Sequence, residues 1–115
     1  MTNQQTPSTF DAFNLSLRLI GMLAPLAKTL QGHDRDLTKQ LRRAASSVSL
    51  NLSEGRKRTG RDRLYLWRVA AGSADETRAC LLVAQAWGYL PEDVLTEALD
   101  LLDRIVAICW RLTNR

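Results

Sequence analysis

Apolar residues recur every three to four positions along most of the chain, which is the spacing of an α-helix that buries one face. Interruptions divide this pattern into four segments, and we predict helices at about residues 10–30, 36–53, 61–87 and 91–112. Few stretches show the strict alternation that is typical of a strand. The pattern therefore predicts an all-α fold, an antiparallel up-down four-helix bundle over residues 9–115, with residues 1–8 as a flexible tail.

Prolines, glycines and small polar residues mark the boundaries of the predicted helices. Pro25 lies inside the first segment, and we expect a kink or a break there because proline removes an amide donor and crowds the preceding turn. Ser8 and Thr59 are predicted to cap the first and third helices. Gly88 suits a left-handed C-terminal cap, and Pro91 suits the first turn of the last helix.

The fourth segment is apolar over more than half of its circumference. A helix of a monomeric bundle needs an apolar stripe only about 100° wide, and a short chain has no further element to cover the excess. The first segment carries a second apolar stripe, which consists of Leu15, Leu19, Met22 and Leu26. These patterns predict a homo-oligomer, independently of any resemblance to known proteins.

Length and composition indicate one folded domain, because 45% of the 115 residues are hydrophobic and 24% are charged. Cys80 and Cys109 lie within apolar helical runs, which favours buried thiols in a reducing compartment over a disulfide. We see neither a signal-peptide pattern nor an uninterrupted apolar run of the roughly 18 residues that a membrane span needs. The expectation is a soluble, cytoplasmic protein without a membrane partner.

The sequence lacks the residue sets that catalysis or metal binding usually requires. His33 is the only histidine, and its polar linker favours a solvated loop residue over a metal ligand. No Gly-rich phosphate loop and no nucleophile elbow occurs. Asp75 and Glu76 are adjacent, so they point in different directions from a helix and do not form an acid–base pair. We predict a protein that is not an enzyme and that needs no metal or cofactor.

Positive charge is concentrated in the middle of the chain. Residues 35–68 hold ten basic and three acidic side chains, whereas the whole chain has a net charge of +4. The arginine guanidinium matches phosphate oxygens in shape and charge. The candidate residues for binding nucleic acid are Lys39, Arg42, Arg43, Arg56, Lys57, Arg58, Arg61 and Arg63. The alternative is a solvated loop that aids solubility, with Arg42 or Arg43 paired to acidic residues of a neighbouring helix.

Aromatic residues next to the basic segment have two interpretations. Tyr65 and Trp67 could stack on nucleic-acid bases. Trp67 shares a helical face with Leu64, Ala70 and Ala74, however, which favours packing in the core.

A separate set of polar residues suggests a network that fixes helix register. Its candidate members are Asn51, Glu54, Ser73 and Glu76, and a structural network is favoured over a ligand site. If the second and third helices are antiparallel, these residues should meet only through another helix pair or another subunit. Gly72 lies in the middle of a helix, where glycine costs about 1 kcal/mol relative to alanine. We therefore expect a close helix approach at Gly72.

Three blocks of residues resemble a known family. They are Leu37, Thr38, Gln40, Arg42, Arg43, Ala44, Ser47, Asn51, Glu54 and Gly55, then Gly72, Ser73 and Glu76, then Gly88, Tyr89 and Leu90. Over about residues 10–112 the chain resembles the four-helix bundle proteins encoded in intervening sequences of bacterial 23S ribosomal RNA genes. Among the members of that family are the accessory variability proteins of diversity-generating retroelements.

The resemblance implies a four-helix bundle assembled as a homopentamer with a positively charged surface. For the retroelement members it also implies binding of nucleic acid and of a partner reverse transcriptase. Two departures stand out. Ala71 replaces an arginine that often precedes the Gly-Ser pair, and Leu52-Ser53 replaces a common Ile-Ala pair. The first departure removes one basic position.

Two classes of function follow from these observations. The leading hypothesis is a non-catalytic, oligomeric bundle that binds RNA or DNA through its basic residues. The alternative is a protein-interaction scaffold, for example an accessory protein of a reverse transcriptase, without direct contact to nucleic acid. A small-molecule site in a central channel of a ring is a third possibility, for which the sequence offers no specific support.

Overall fold

The computed structural model describes residues 9–114, and its regular elements are four α-helices. They are α1 (Thr9–Gln31), α2 (Arg35–Arg56), α3 (Gly60–Ala86) and α4 (Glu92–Thr113). The predicted flexible tail and the predicted cap at Ser8 lie outside the described residues. The connections at 32–34, 57–59 and 87–91 are short, so consecutive helices run antiparallel. The all-α four-helix bundle that the sequence predicts is confirmed.

The helices form a closed four-membered arrangement around one core. Each packs against its neighbours in the chain, and α1 also packs against α4, which places α1 and α3 at diagonal corners. Fully buried side chains come from every helix, among them Leu19, Leu41, Leu81 and Ile105. A single chain therefore has a continuous apolar core.

The wide apolar surface of α4 is largely used within the bundle. Nine of its residues are buried in a single chain, from Leu95 to Thr113. Its large exposed hydrophobic residues are Val94 and Trp110, which are 41% and 62% exposed. The premise that one chain cannot cover α4 is therefore wrong, because α1 and α3 both pack against this helix. The oligomer stays a prediction that needs other support.

Pro25 does not break α1, which runs from Thr9 to Gln31 without interruption. Because proline has no amide hydrogen, the carbonyl one turn earlier, at Gly21, loses its helical donor. Gly21 and Pro25 are both exposed, so water can reach that carbonyl. Of the two expected effects of Pro25, the break is therefore wrong, and the kink stays a prediction.

The helix ends follow local rules that the sequence reveals only in part. Asp34, which we placed in the linker, is the N-cap of α2, and its side chain accepts a hydrogen bond from the Leu37 amide at 2.9 Å. Thr59 occupies the N-cap of α3, but its side chain makes no capping bond. Gly88 has φ +80°, which confirms the predicted left-handed cap. Gly55 belongs to α2 and not to the predicted loop.

The close helix approach occurs at Gly55 and not at Gly72. A Cβ at Gly55 would lie 2.5 Å from Trp67 Nε1, whereas a Cβ at Gly72 would meet nothing within 4 Å. Trp67 is only 9% exposed and packs in the core, as its helical face predicted. The end of α2 therefore approaches α3 at the Nε1–Cδ1 edge of the indole ring, and no helix within residues 9–114 makes the expected close approach at Gly72.

Within residues 9–114, one helix is long and apolar enough to cross a membrane by length and composition alone. It covers Phe10–Gln31, with a mean hydropathy of 1.2. Core helices of soluble proteins meet the same criterion, so this is weak support for a membrane span. In the bundle this helix contributes Leu19, Leu23, Ala27 and Leu30 to the core.

Candidate nucleic-acid interface

The three-residue connection between α2 and α3 collects positive charge at one end of the bundle. Arg56, Lys57, Arg58 and Arg61 are all exposed there, and we refer to these four residues as the turn cluster. The amides of Lys57 and Arg58 close the last turn of α2 by donating to Glu54 and Gly55 carbonyls, each at 3.1 Å. Gly60 then turns the chain into α3 with φ +58°, a conformation that favours glycine. The cluster therefore stands on a well-defined turn.

Arg63 has a structural role beside this cluster. Its Nε donates to the Gly55 carbonyl at 3.1 Å, and its Nη2 donates to the Arg56 carbonyl at 3.0 Å. Its guanidinium also lies over the Trp67 ring, 5.2 Å from the ring centre. The positive charge thus caps the C-terminus of α2, where unsatisfied carbonyls favour a cation. Arg63 was predicted to contact phosphate, but two of its donors already bond carbonyls of α2 and one face of its guanidinium lies against the Trp67 ring.

Two members of the turn cluster make weak contacts at the surface. Arg58 bonds Glu54 through Nη2 at 2.9 Å, and the two side chains are 48% and 44% exposed. An exposed pair of this kind is worth about 0.3–0.5 kcal/mol. The Arg56 guanidinium lies 5.3 Å from the centre of the Phe10 ring. Neither contact is strong enough to keep these arginines from a phosphate group.

The side chains of five predicted binding residues make no hydrogen bond or ion pair with any residue between 9 and 114. They are Lys39, Arg42, Arg43, Lys57 and Arg61, and all five are exposed. The neighbouring-helix ion pairs that we considered for Arg42 and Arg43 are thus absent from this part of the chain. Side chains of this kind are available to an anion.

The basic residues do not form one patch. Lys39 and Arg56 are 17 positions apart, or about 26 Å along a helix axis. Arg42 lines a groove between α1 and α2, whereas Arg43 lies near Cys80 of α3, where burial raises the pKa of the thiol and the charge of Arg43 offsets part of that rise. Adjacent helical residues point about 100° apart, which explains the divergence. The turn cluster is therefore the only compact group among the predicted binding residues of the described chain.

Two predicted network residues, Asn51 and Ser73, are joined through Ser47. The Asn51 Nδ2 donates to the Ser47 carbonyl at 2.9 Å and to Ser47 Oγ at 3.0 Å. Ser73 Oγ donates to Ser47 Oγ at 2.7 Å. The bonds link α2 to α3 directly, so the expectation of another helix pair or another subunit is wrong. Glu54 pairs with Arg58, and Glu76 is exposed, so neither belongs to this network.

Two further features of the polar and aromatic residues were missed by sequence reasoning. Ser16 and Ser49 share a buried hydrogen bond of 2.7 Å between α1 and α2. At the end opposite the turn cluster, Tyr89 stacks on His33 with ring centres 5.0 Å apart and on Trp87 at 6.2 Å. His33 is exposed, as expected for a loop residue, but its ring is stacked. These contacts connect the α1–α2 and α3–α4 loops.

The titratable groups give no sign of a reactive centre. Burial, helped by the negative charge of Asp75, raises the pKa of the Cys109 thiol to about 11. Burial is also the main reason why the pKa of Cys80 is raised. Both cysteines are free and buried, and a thiol with a raised pKa is a poor nucleophile. Within residues 9–114, no three His, Cys, Asp or Glu side chains are grouped so that they could hold a metal ion.

Comparison with known proteins identifies relatives by sequence and by fold. Residues 9–111 match the model of a family described as 23S rRNA-intervening sequence proteins. A crystal structure from Bacteroides thetaiotaomicron VPI-5482, of a protein with unknown function from the S23 ribosomal protein family, has the same fold with a TM-score of 0.82. The two chains are 19% identical, and the match covers 90% of this chain and 99% of the other. No curated protein matches the sequence.

Proposed function

This chain belongs to the family of 23S rRNA-intervening sequence proteins, and we propose that it is a non-catalytic, oligomeric bundle that binds RNA or DNA. The sequence resemblance to that family is confirmed, whereas the link to diversity-generating retroelements stays a prediction. A homopentamer, which the resemblance implies, is part of this proposal, as is a cytoplasmic location. The observation that carries the proposal is the turn cluster.

The turn cluster suits a phosphate backbone for two reasons. Four cationic side chains share one short turn, and Lys57 and Arg61 have no protein partner within the described residues. Binding of this kind depends strongly on salt and little on base sequence, because each neutralised phosphate releases counterions. Several copies of the turn cluster in one oligomer would also act together, which raises the apparent affinity.

A paired substitution tests the proposal. Lys57→Ala with Arg61→Ala removes two unpartnered charges, and Arg18→Ala with Arg104→Ala removes two exposed charges from α1 and α4 as the matched control. Fluorescence anisotropy with a structured RNA and with duplex DNA is measured at several salt concentrations. We expect the first variant to weaken binding at least about tenfold and to reduce the slope of log affinity against log salt by about 1 per lost phosphate contact.

The outcomes distinguish nucleic-acid binding at the turn cluster from attraction of nucleic acid by the net positive charge of the protein. Equal losses in the two variants indicate attraction by net charge alone. Absence of binding by the wild-type chain even at low salt refutes the proposal. Light scattering on the same samples reports the oligomer independently, and a stable monomer at micromolar concentration refutes that part.

A protein-interaction scaffold is the second candidate, and a specific observation favours it. Leu17 and Leu50 are 47% and 68% exposed on α1 and α2, the two helices that also line an open groove of about 380 Å³. Exposed apolar side chains around a groove are typical of protein contacts. A partner such as a reverse transcriptase would be tested by copurification of the two purified proteins with and without nuclease treatment. A complex that survives nuclease while the chain alone binds no nucleic acid favours the scaffold.

A further inference from the structure

The outward side of α3 carries residues that the isolated bundle does not explain. Gly72, Ala79 and Val83 are exposed and lie on one side of the helix, because their spacing of seven and four positions returns to the same face. The Gly72 position is open, since a Cβ there would meet nothing within 4 Å. A glycine in this position costs helix stability that alanine would not, and no contact within residues 9–114 requires it.

Two carboxylates flank this apolar line. Asp75 and Glu76 are exposed, and neither carboxylate makes a hydrogen bond or an ion pair with a residue between 9 and 114. They follow Gly72 by three and four positions, which rotates them about 60° to one side and about 40° to the other side of the line through Gly72, Ala79 and Val83. The α3 face, as we call Gly72, Asp75, Glu76, Ala79 and Val83, is thus small and apolar along its centre and acidic at its edges.

The groove between α1 and α2 has the opposite character. It is open to solvent, has a volume of about 380 Å³, and is lined by residues of both helices that include Ile20, Ala24, Ala45 and Ser46. Lys28 and Arg42 also line it, and neither pairs with a carboxylate within the described residues. The groove is therefore apolar along its floor and cationic in its wall.

We propose that the α3 face of one copy of this chain packs into the α1–α2 groove of a second copy. An amphipathic helix face in an apolar groove is a common mode of recognition. Gly72 lets the backbone of α3 approach closely, and Asp75 and Glu76 meet Lys28 and Arg42 with opposite charge. This inference rests on the oligomer in the proposed function and names the surfaces that form it.

The location of the two surfaces determines the type of assembly. The groove belongs to α1 and α2, whereas the α3 face lies on the helix diagonal to α1. A contact between two different surfaces is head-to-tail, so each copy binds one neighbour through its groove and another neighbour through its α3 face. Such contacts close into a ring when the rotation between copies allows it, and otherwise continue as a filament.

The first experiment adds bulk to the α3 face. Gly72→Leu adds a large side chain at an exposed position where a Cβ would meet nothing within 4 Å, and Ala107→Leu adds the same side chain to an exposed position of α4 as the matched control. Light scattering after size exclusion measures the mass in multiples of the 12.9 kDa chain. We expect Gly72→Leu to keep its helical circular dichroism and to shift at least half of the protein to monomer, while Ala107→Leu keeps the wild-type mass.

The second experiment reverses charge and restores it. Lys28→Glu with Arg42→Glu, and separately Asp75→Lys with Glu76→Lys, should each place like charges against one another and lower the assembled fraction. All four substitutions in one chain exchange the signs of both surfaces, so assembly should return. Recovery in the quadruple variant cannot arise from a mere loss of folding in the double variants.

The results distinguish this contact from the proposed function. A wild-type monomer refutes the oligomer and this contact together. If the wild type is an oligomer and Gly72→Leu and both double variants keep its mass, this contact alone is overturned. It is also overturned if both double variants are monomers and the quadruple variant is a monomer as well. Nucleic-acid binding through Lys57 and Arg61 is measured separately and does not decide this question.

Discussion

Replacing Gly55 by alanine should destabilise the bundle, although alanine is the better helix former. The new Cβ would lie 2.5 Å from Trp67 Nε1 and 2.6 Å from Trp67 Cδ1. Normal contact distances are about 3.5–4.0 Å, so the indole or the end of α2 must move by about 1 Å. Trp67 has little room to move, because it is 9% exposed and Arg63 lies over its ring.

The expected magnitude is a balance of two effects. Overpacking of a core costs about 1–3 kcal/mol. Alanine recovers up to about 1 kcal/mol over glycine within a helix, and less near the end of α2, where Gly55 lies. The net loss should be about 1–2 kcal/mol in the free energy of unfolding. For a domain of this size that corresponds to a fall in Tm of about 4–8 °C.

Thermal and urea unfolding followed by circular dichroism measure this effect. Gly21→Ala is the matched control, because Gly21 also lies within a helix and a Cβ there would meet nothing within 4 Å. It should leave stability unchanged or raise it by up to about 1 kcal/mol. Trp67→Ala removes the ring atoms that the new methyl meets, so Gly55→Ala should cost less in that background. A Gly55→Ala variant as stable as the wild type would refute the reasoning.

Two further predictions concern Arg63 and Cys109. Arg63→Ala should lower the free energy of unfolding by about 1–3 kcal/mol, because charged hydrogen bonds to two carbonyls are lost. Arg58→Ala should lower it by no more than about 0.5 kcal/mol. Urea unfolding of both variants checks that the loss is larger for Arg63→Ala. Burial raises the pKa of Cys109 from 9.0 to about 11, so the folded state holds this proton more tightly than the unfolded state. Stability should therefore fall as pH rises from about 9 towards 11, with a smaller fall in Cys109→Ala, and a pH series of urea unfolding checks this.

The helices could be predicted from the sequence because their cause is local. Apolar spacing, Gly88 and the short connections all act within a few residues, and each gave the correct element. Pro25 misled because the cost of a proline depends on whether water can reach the carbonyl one turn earlier. That exposure is a property of the folded bundle, and the pattern around Pro25 does not contain it.

The candidate interface was harder to predict because charge alone does not show which cations are engaged. Arg63 and Arg61 look equivalent in the sequence, yet Arg63 caps α2 and Arg61 points to solvent. Ser47 was missed for a similar reason. A lone serine on a helix gives no local signal that Ser73 will lie 2.7 Å from it after folding. Only the antiparallel packing of α2 and α3 brings these hydroxyl groups together.

Gly55 and Gly72 show how a glycine required by a contact inside the chain can be told apart from one that no such contact requires. Both glycines stand within helices and both belong to the blocks that resemble the family, but only Gly55 is required by a contact inside the chain. Packing within one copy of the chain therefore explains Gly55, whereas it does not explain why a glycine stands at position 72. A helix position that is open, costly and flanked by unpaired carboxylates is better explained by a contact made outside the chain. The same reasoning applies to Lys28 and Arg42 in the groove, which is why the two surfaces are assigned to each other.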